Sequence, residues 1–498
     1  MKTRLWQIIP GIAVLLFFSC NFYPEKNDFD LSGGKLPPGQ FWAENMSGTA
    51  RSWYKVDAEL LWEGVFCSIW AEKGADISAE TAEKIAFEYD EKIYPGMIEA
   101  FSFEEDILFN GKSMNIIEYT DYYLTGGDGK LTILFLNIND GYDPENDRNS
   151  YIAGYFWAIN FFENIPRAYY RNSNECAMLY IDIKIDEPGS SKSYETIAHE
   201  LQHLMNFGHS LHNRSTDRII FSMDTWIDEG LSGAAEWVYS RTYNEGRLDW
   251  YNDDISGLIS QGNNFFVWGN RTDESVYAVL DDYATVYLFF QWLRIQSGGG
   301  TGIYKNIITS DKTNYRAVLD AWVISDWESL LRYWLAANYI NAPEGPYGYR
   351  SQLTLTDAKT FPGPAPLSLF PGEGVYSLTS TVKNIPTTGG PNIKYASLSK
   401  SPPDRGNVST TGHILSNIAL LTYNINTVIS GPRETGTLAS VGMETIQNAG
   451  TASGAVRSLM IPLSGPYAIS AGDLLRQNGH NDSAISIPTM GEWNRSNE

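Results

Sequence analysis

Thr196–Phe207 reads TIAHELQHLMNF, and its residue types and spacing point most directly to chemistry. Two imidazoles, His199 and His203, stand four residues apart, with Glu200 directly after the first. Ile197, Ala198, Leu201 and Leu204 recur at helical spacing, so the segment is expected to be a helix with an apolar flank, stopped by Gly208. On a helix, residues i and i+4 are neighbours, with Cβ atoms ~5–6 Å apart. Both histidines can then reach one divalent ion through imidazole nitrogen, at the ~2.0–2.1 Å typical of zinc. Glu200 lies about 100° around the helix from His199. That places it beside the ion as a base for water, not as a ligand. A surface helix with stray histidines would leave the apolar flank unexplained.

Two residues compete to be the third ligand. His209 follows His199 by ten residues, giving a string that resembles the metzincin signature HExxHxxGxxH, with Asn206 at the glycine position. Asn tolerates the left-handed backbone needed there, and Met223 in FSMD would stand for that family's Met-turn. Otherwise His209 and His212 are loop histidines near a helix end. The second candidate is Glu229, in TWIDEGLSGAAEW (Thr225–Trp237), where Asp228 precedes an expected helix over 229–241. Glu229 and Glu236 are seven residues apart and share one face of that helix. A second helix bringing a carboxylate to a two-histidine helix is the gluzincin arrangement. Trp226–Ser232 followed by Glu236 resembles the WLNEGFA…E segment of the aminopeptidase branch of that clan, with Asp228 replacing the usual Asn.

The resemblance extends further. GKLTILFLNINDGY, IAGYF, ETIAHELQHLMNF and TWIDEGLSGAAEW occur in the order seen in hyicolysin-type neutral metallopeptidases of bacteria, over roughly residues 50–340. The paired HExxH and EGLS segments are the specific part. The resemblance implies a Zn2+-dependent peptidase, with His199, His203 and Glu229 holding the metal and Glu200 as general base; endopeptidase action is the expectation, with exopeptidase action left open by the residues. It also implies that Glu236 accepts a hydrogen bond from a ligand imidazole, where the alternative is a solvated helix face. In the aminopeptidase relatives a tyrosine early in a later helix donates to the oxyanion. Tyr283 in DDYATVYLFFQWL matches that place, and Tyr287 lies one turn on. The rival reading is a non-catalytic surface adhesin that retains a metal. A structural zinc site is normally closed by four protein ligands, and Glu200 would then have no task.

The elements that must position these residues imply an α+β fold, with a gluzincin-like catalytic domain made of a mixed β-sheet part and a helical part. Over residues 46–190 the apolar runs are short and β-branched or aromatic; LLWEGVFCSIWAE, KLTILFLNI and AMLYIDIKI are the clearest strands. One helix interrupts them, SAETAEKIAFEYDEKIYP, with Ser78 as its N-cap. TGGDGK (Thr125–Lys130) is a hairpin-turn signal, or a weak Ca2+ loop in which only Asp128 offers a carboxylate. Residues 191–350 switch to a helical period, with helices expected over 194–207, 229–241, 275–295 and 327–340. From 355 to 498 Gly, Ser, Thr and Pro dominate, as in a separate small β-sandwich-like domain.

The N-terminus adds an address. Lys2 and Arg4 precede an apolar run of 14 residues, Leu5–Phe18, too short to span a bilayer comfortably and suited to a signal peptide. FFSC at 17–20 resembles a lipobox, which makes residues 1–20 a lipoprotein signal peptide with lipid on Cys20 and residues 21–45 a tether. The expected location is outside the cytoplasm, anchored to a bacterial membrane. The remaining cysteines, Cys67 and Cys176, are permitted to pair there but equally read as two thiols. A net charge of −23 repels phosphate backbones, so nucleic acid is not an expected partner; protein or peptide is.

Overall fold

The computed structural model describes residues between 36 and 423, plus the pairs 460–461 and 469–470. It leaves out 48–51, 102–129, 143–150, 162–171, 217–218, 221, 263–264, 267, 269–276, 323–325, 357, 367–368, 370–371 and 383–392. The expected signal peptide, Cys20, the Asp128 turn and most of the chain beyond 423 lie outside the described residues.

The first part is a six-stranded mixed sheet. Strands β1 (Gln40–Asn45), β2 (Ser52–Glu63), β3 (Cys67–Glu72), β4 (Leu131–Leu136), β5 (Gly154–Phe156) and β6 (Met178–Asp182) lie in the order β1-β2-β3-β4-β6-β5. β3, β4 and β6 run parallel; the other pairings are antiparallel. The parallel strands LTILFL and MLYID are almost wholly buried, as strands covered on both faces must be. Helices α1 (Ala79–Glu88) and α2 (Tyr94–Phe101), joined by a π-helical turn at Tyr89–Ile93, connect β3 toward β4. The Ser78 side chain caps α1 by accepting from the Thr81 N–H at 3.1 Å.

Two boundaries differ from the sequence reading. The tether ends sooner, because residues 40–45 pair with β2 and bury Trp42, Ala43 and Glu44. LLWEGVFCSIWAE divides into β2 and β3 at a turn, where Asp90 accepts from the Val65 and Phe66 N–H groups. Cys67 is buried on β3, and it and Cys176 remain thiols.

The second part is helical. α3 (Ser191–Asn213) packs on β5 and β6, and α4 (Thr225–Ser240) packs across α3. The two-residue strands β7 (Ser215–Thr216) and β8 (Ile219–Ile220) pair between them. α5 (Glu245–Asp253), α6 (Ala278–Gln296), α7 (Gly302–Ile308), α8 (Tyr315–Trp322) and α9 (Trp327–Ile340) follow. α6 is buried along nearly its whole length and lies against α4. Trp226, at the start of α4, meets Phe265, Phe266, Phe289, Phe290 and Trp327 with ring centroids 5.0–6.3 Å apart. That aromatic cluster fixes α4, and with it the EGLS segment, to the core. No helix among the described residues is long and apolar enough to cross a membrane.

Gly230 permits the closest approach of α4 and α6. A Cβ there would fall 2.3 Å from the Phe290 ring. Gly230→Ala gains roughly 1 kcal/mol of helix propensity, but overpacking costs about 1–3 kcal/mol. A lower Tm and a lower denaturant midpoint are expected; an unchanged or raised Tm would contradict this packing.

β9 (Gly374–Leu378), β10 (Ile393–Ser399), β11 (Asn407–Ser409) and β12 (Ile418–Tyr423) form an antiparallel sheet in the order β11-β10-β12-β9. Strands β13 (Met460–Ile461) and β14 (Ile469–Ser470) pair with each other. Composition suggested a separate unit here. Instead, Tyr376, Ala396, Leu398, Ile418 and Leu420 join the main core, and the Tyr376 hydroxyl donates to the Leu335 carbonyl of α9 at 2.6 Å. The other face carries a smaller cluster, including Leu369, Val375, Ile393 and Leu421.

Candidate metal centre

α3 begins where the Ser190 side chain accepts from the Ser193 N–H at 3.2 Å, and it runs unbroken past Gly208 to Asn213. Gly208 is therefore no stop. Burial of the helix through Ser210 outweighs the roughly 1 kcal/mol that an interior glycine costs. α4 starts at Thr225, four residues earlier than expected, with the Asp224 carbonyl accepting from Ile227 and Asp228. It ends at Arg241 in the left-handed conformation, φ 56°.

These two helices bring His199, His203 and Glu229 together, with ligand atoms all within 4.8 Å of one another. Glu229 Oε2 lies 3.6 Å from Nε2 of His199 and 3.6 Å from Nε2 of His203. Ligand atoms ~2.1 Å from a tetrahedral ion stand about 3.4 Å apart, so the spacing suits zinc. The same three atoms are buried and have no hydrogen-bond partner. Buried polar atoms are otherwise satisfied as a rule, and a divalent cation would satisfy all three at once. The residues present fit the group.

Each imidazole is held from behind, through its other nitrogen. Nδ1 of His199 lies 3.0 Å from Glu236 Oε1. Asn244 Nδ2 donates to Glu236 Oε2 at 2.8 Å, and Arg247 donates to Oε1 at 3.4 Å. Glu236 thus lies on the site side of α4 and not on a solvated face. Nδ1 of His203 lies 3.0 Å from Asp228 Oδ2 and 3.0 Å from Ser232 Oγ. Such partners fix the tautomer and aim Nε2 forward. Asp228, Ser232, Asn244 and Arg247 were not singled out as site residues from sequence. Asp228 and Ser232 were findable, standing one turn apart beside Glu229; Arg247 carries no local signal.

The charges are strongly coupled. Burial alone would lower the His199 pKa, but Glu229 and Glu236 overcome it and push it up to about 10. His203 is raised too, with burial opposing and Asp228 and Glu229 prevailing. Burial works to raise the Glu236 carboxyl, yet Arg247, His199 and Asn244 hold it down at about 2. With both imidazoles raised, a cation has to compete with protons for this cage. Zn2+ affinity is therefore expected to fall about tenfold per pH unit for each proton displaced as pH drops from 8 to 6. Competition with a chromogenic chelator reads this directly; pH-independent binding would contradict it.

Glu200 is buried beside the ligands, and neither carboxylate oxygen has a hydrogen-bond partner. Burial pushes the carboxyl up to about 7, against the pull of His203 and His199. Gly154 of β5 lies against it: a Cβ on that glycine would stand 3.2 Å from Glu200 Cγ.

Tyr283 is buried on α6, close enough to Glu229 to feel its charge. Burial first, then the charge of Glu229, raises its pKa well above the ordinary phenol value. Trp268 meets its ring edge-on at 4.8 Å, and the Arg247 guanidinium lies 4.5 Å from its centroid. Tyr287 is engaged elsewhere, its hydroxyl accepting from the Asn244 N–H at 2.9 Å.

His209 is not brought to the site. Along an unbent helix, ten residues carry it ~15 Å from His199, and its Nε2–H donates to the Phe101 carbonyl at 2.6 Å. The metzincin arrangement needs a bend at Asn206 that the helix does not make. Met223, offered with it, is a core residue, and the His212 side chain lies outside the described residues.

No protein-family model matches the chain. Among curated proteins it is similar to the neutral metalloprotease ShpI of Staphylococcus hyicus, 28% identical over 273 residues. The match covers 54% of this chain and 54% of that protein, so the chain spans about half the length of the curated relative it matches. With the convergent His199, His203 and Glu229, that similarity supports a metallopeptidase relationship and a metal-binding site.

Proposed function

We propose that the chain is a zinc-dependent endopeptidase. The observation that carries this reading is the convergence of three unsatisfied buried donor atoms beside the equally unsatisfied carboxylate of Glu200. When bound, zinc would polarise the scissile carbonyl and lower the pKa of water toward ~7. His199, His203 and Glu229 hold the ion. Glu200 takes the proton from the attacking water and passes it to the departing amine. Tyr283 donates its O–H to the carbonyl oxygen as negative charge develops there. Among the described residues β5 is an edge of the sheet, and it runs beside Glu200 through Gly154, so an extended peptide can add to it as a further strand.

A non-catalytic reading requires a closed structural site. Among the described residues the cluster holds three ligands and not the four such a site uses. The test is cleavage of an unfolded protein such as casein by the purified chain. Cleavage should stop with a chelator and return on adding stoichiometric Zn2+; no cleavage by zinc-loaded protein overturns the reading. We also propose export and acylation at Cys20, read from the basic start, the apolar run and FFSC. Labelled fatty acid should enter the wild-type chain and not Cys20→Ser; equal labelling of the two would exclude it.

A further inference from the structure

α3 carries a polar stripe that continues past the two ligands. His203, Asn206, Ser210 and, at its C-terminal cap, Arg214 follow at helical spacing, and all four are buried, with 0–3% exposure. Buried arginine needs its donors satisfied and its charge balanced. Nη1 of Arg214 donates to the Ile308 carbonyl at 2.7 Å, at the end of α7, and to the Ser310 carbonyl at 3.3 Å, just past it. Nη2 donates to the Asn206 carbonyl at 2.8 Å, Asn206 Oδ1 at 2.6 Å and Ser210 Oγ at 2.8 Å. Asn206 Nδ2 donates in turn to Asp228 Oδ1 at 2.5 Å. The other oxygen of Asp228 faces Nδ1 of His203.

The order of these contacts matters. An amide can present either its oxygen or its NH2 to a neighbour. Arg214 has no acceptor, so it takes the Asn206 oxygen and forces the NH2 toward Asp228. A flipped amide would set oxygen against carboxylate and nitrogen against guanidinium. Asp228 is thereby pinned through one oxygen and left one clear geometry for the other, on His203.

We propose that Arg214 and Asn206 are positioning residues of the metal centre, locking Asp228 and through it the ring orientation of His203. The proposal rests on the metal reading above. It concerns how well the site is pre-formed, and neither residue touches the ion or substrate. Changes behind a ligand imidazole typically cost 10–100-fold in metal affinity.

The test uses the full chain, with Zn2+ and Co2+ as probes. Asn206→Leu cuts the relay while leaving Arg214 its bonds to backbone carbonyls and Ser210. It should weaken Zn2+ by about tenfold and alter the visible absorption bands of the Co2+ form, with circular dichroism unchanged. Asp228→Asn should also weaken Zn2+. The double variant should be no weaker than the poorer single one, because both act through His203. If Asn206→Leu does not fold, Arg214→Lys, which keeps the charge and loses the fork, carries the same comparison with Asp228→Asn. Wild-type chain that takes up no Zn2+ or Co2+ defeats the metal reading itself. Wild type that binds, with folded variants within twofold and spectrally unchanged, defeats only the positioning role. Losses that multiply in the double variant do the same.

Discussion

Glu200→Gln is expected to lower kcat by about 10²–10⁴-fold, the usual contribution of a positioned acid–base group, while zinc content stays at the wild-type level. Glutamine preserves the shape of the side chain but cannot accept the proton of the attacking water. The two imidazoles should be undisturbed, since His199 takes its support from Glu236 and His203 from Asp228, not from Glu200. KM should change little. Turnover equal to wild type in zinc-loaded Glu200→Gln would eliminate the mechanism. A second consequence appears without metal. Burial raises the folded pKa of Glu200 to about 7, above its ordinary value. A group raised in this way favours the fold at low pH, and that contribution disappears as pH rises through the folded value. Chelated wild type should therefore lose stability relative to chelated Glu200→Gln between about pH 4.5 and 7. Parallel Tm profiles would contradict the burial of that charge.

Glu229→Ala is expected to strip the metal, and His209→Ala to leave it. Removing Glu229 takes away one of three donors and the negative charge facing both Nε2 atoms. The loss should exceed the roughly 100-fold seen when only a residue behind a ligand is changed. Metal analysis after dialysis, with activity measured in parallel, reads both variants. His209→Ala loses one hydrogen bond to the Phe101 carbonyl, a net cost of about 0.5–1.5 kcal/mol. Its signature is a small drop in Tm with full zinc content. The opposite pattern, metal lost only in His209→Ala, would require α3 to bend in solution and would replace Glu229 as ligand.

These two variants also mark where sequence was informative. HExxH on an apolar helix was legible because ligands one turn apart need nothing but local geometry. β4, β6 and α9 were legible from period and composition, and α9 matches residue for residue at Trp327–Ile340. The third ligand was not decidable from residue patterns alone. Choosing His209 or Glu229 depends on whether α3 bends near Asn206, and that is settled by packing of α3 against α4 and β5 over long chain separations. Asn206 shows the difficulty: the same residue that suits a left-handed turn instead orders a carboxylate on another helix. Arg214 and Arg247 were equally hidden, because a buried arginine is recognisable only once its partners have been brought around it. The C-terminal sheet misled for a related reason. Its composition is that of an independent β unit, while its inner face is completed by α9.

α4 contributes Glu229, the proposed third ligand, together with the carboxylates behind both histidines. A cation bound there would be riveted between two rods, and every donor from the second rod would travel as a unit. Sliding or tilting that rod would loosen all of them simultaneously rather than one after another. Occupancy of the centre would thus work as a gauge of helix register: a substitution far along the shared seam, such as one at Gly233 against Tyr287, is expected to be felt first as faster escape of the proposed metal.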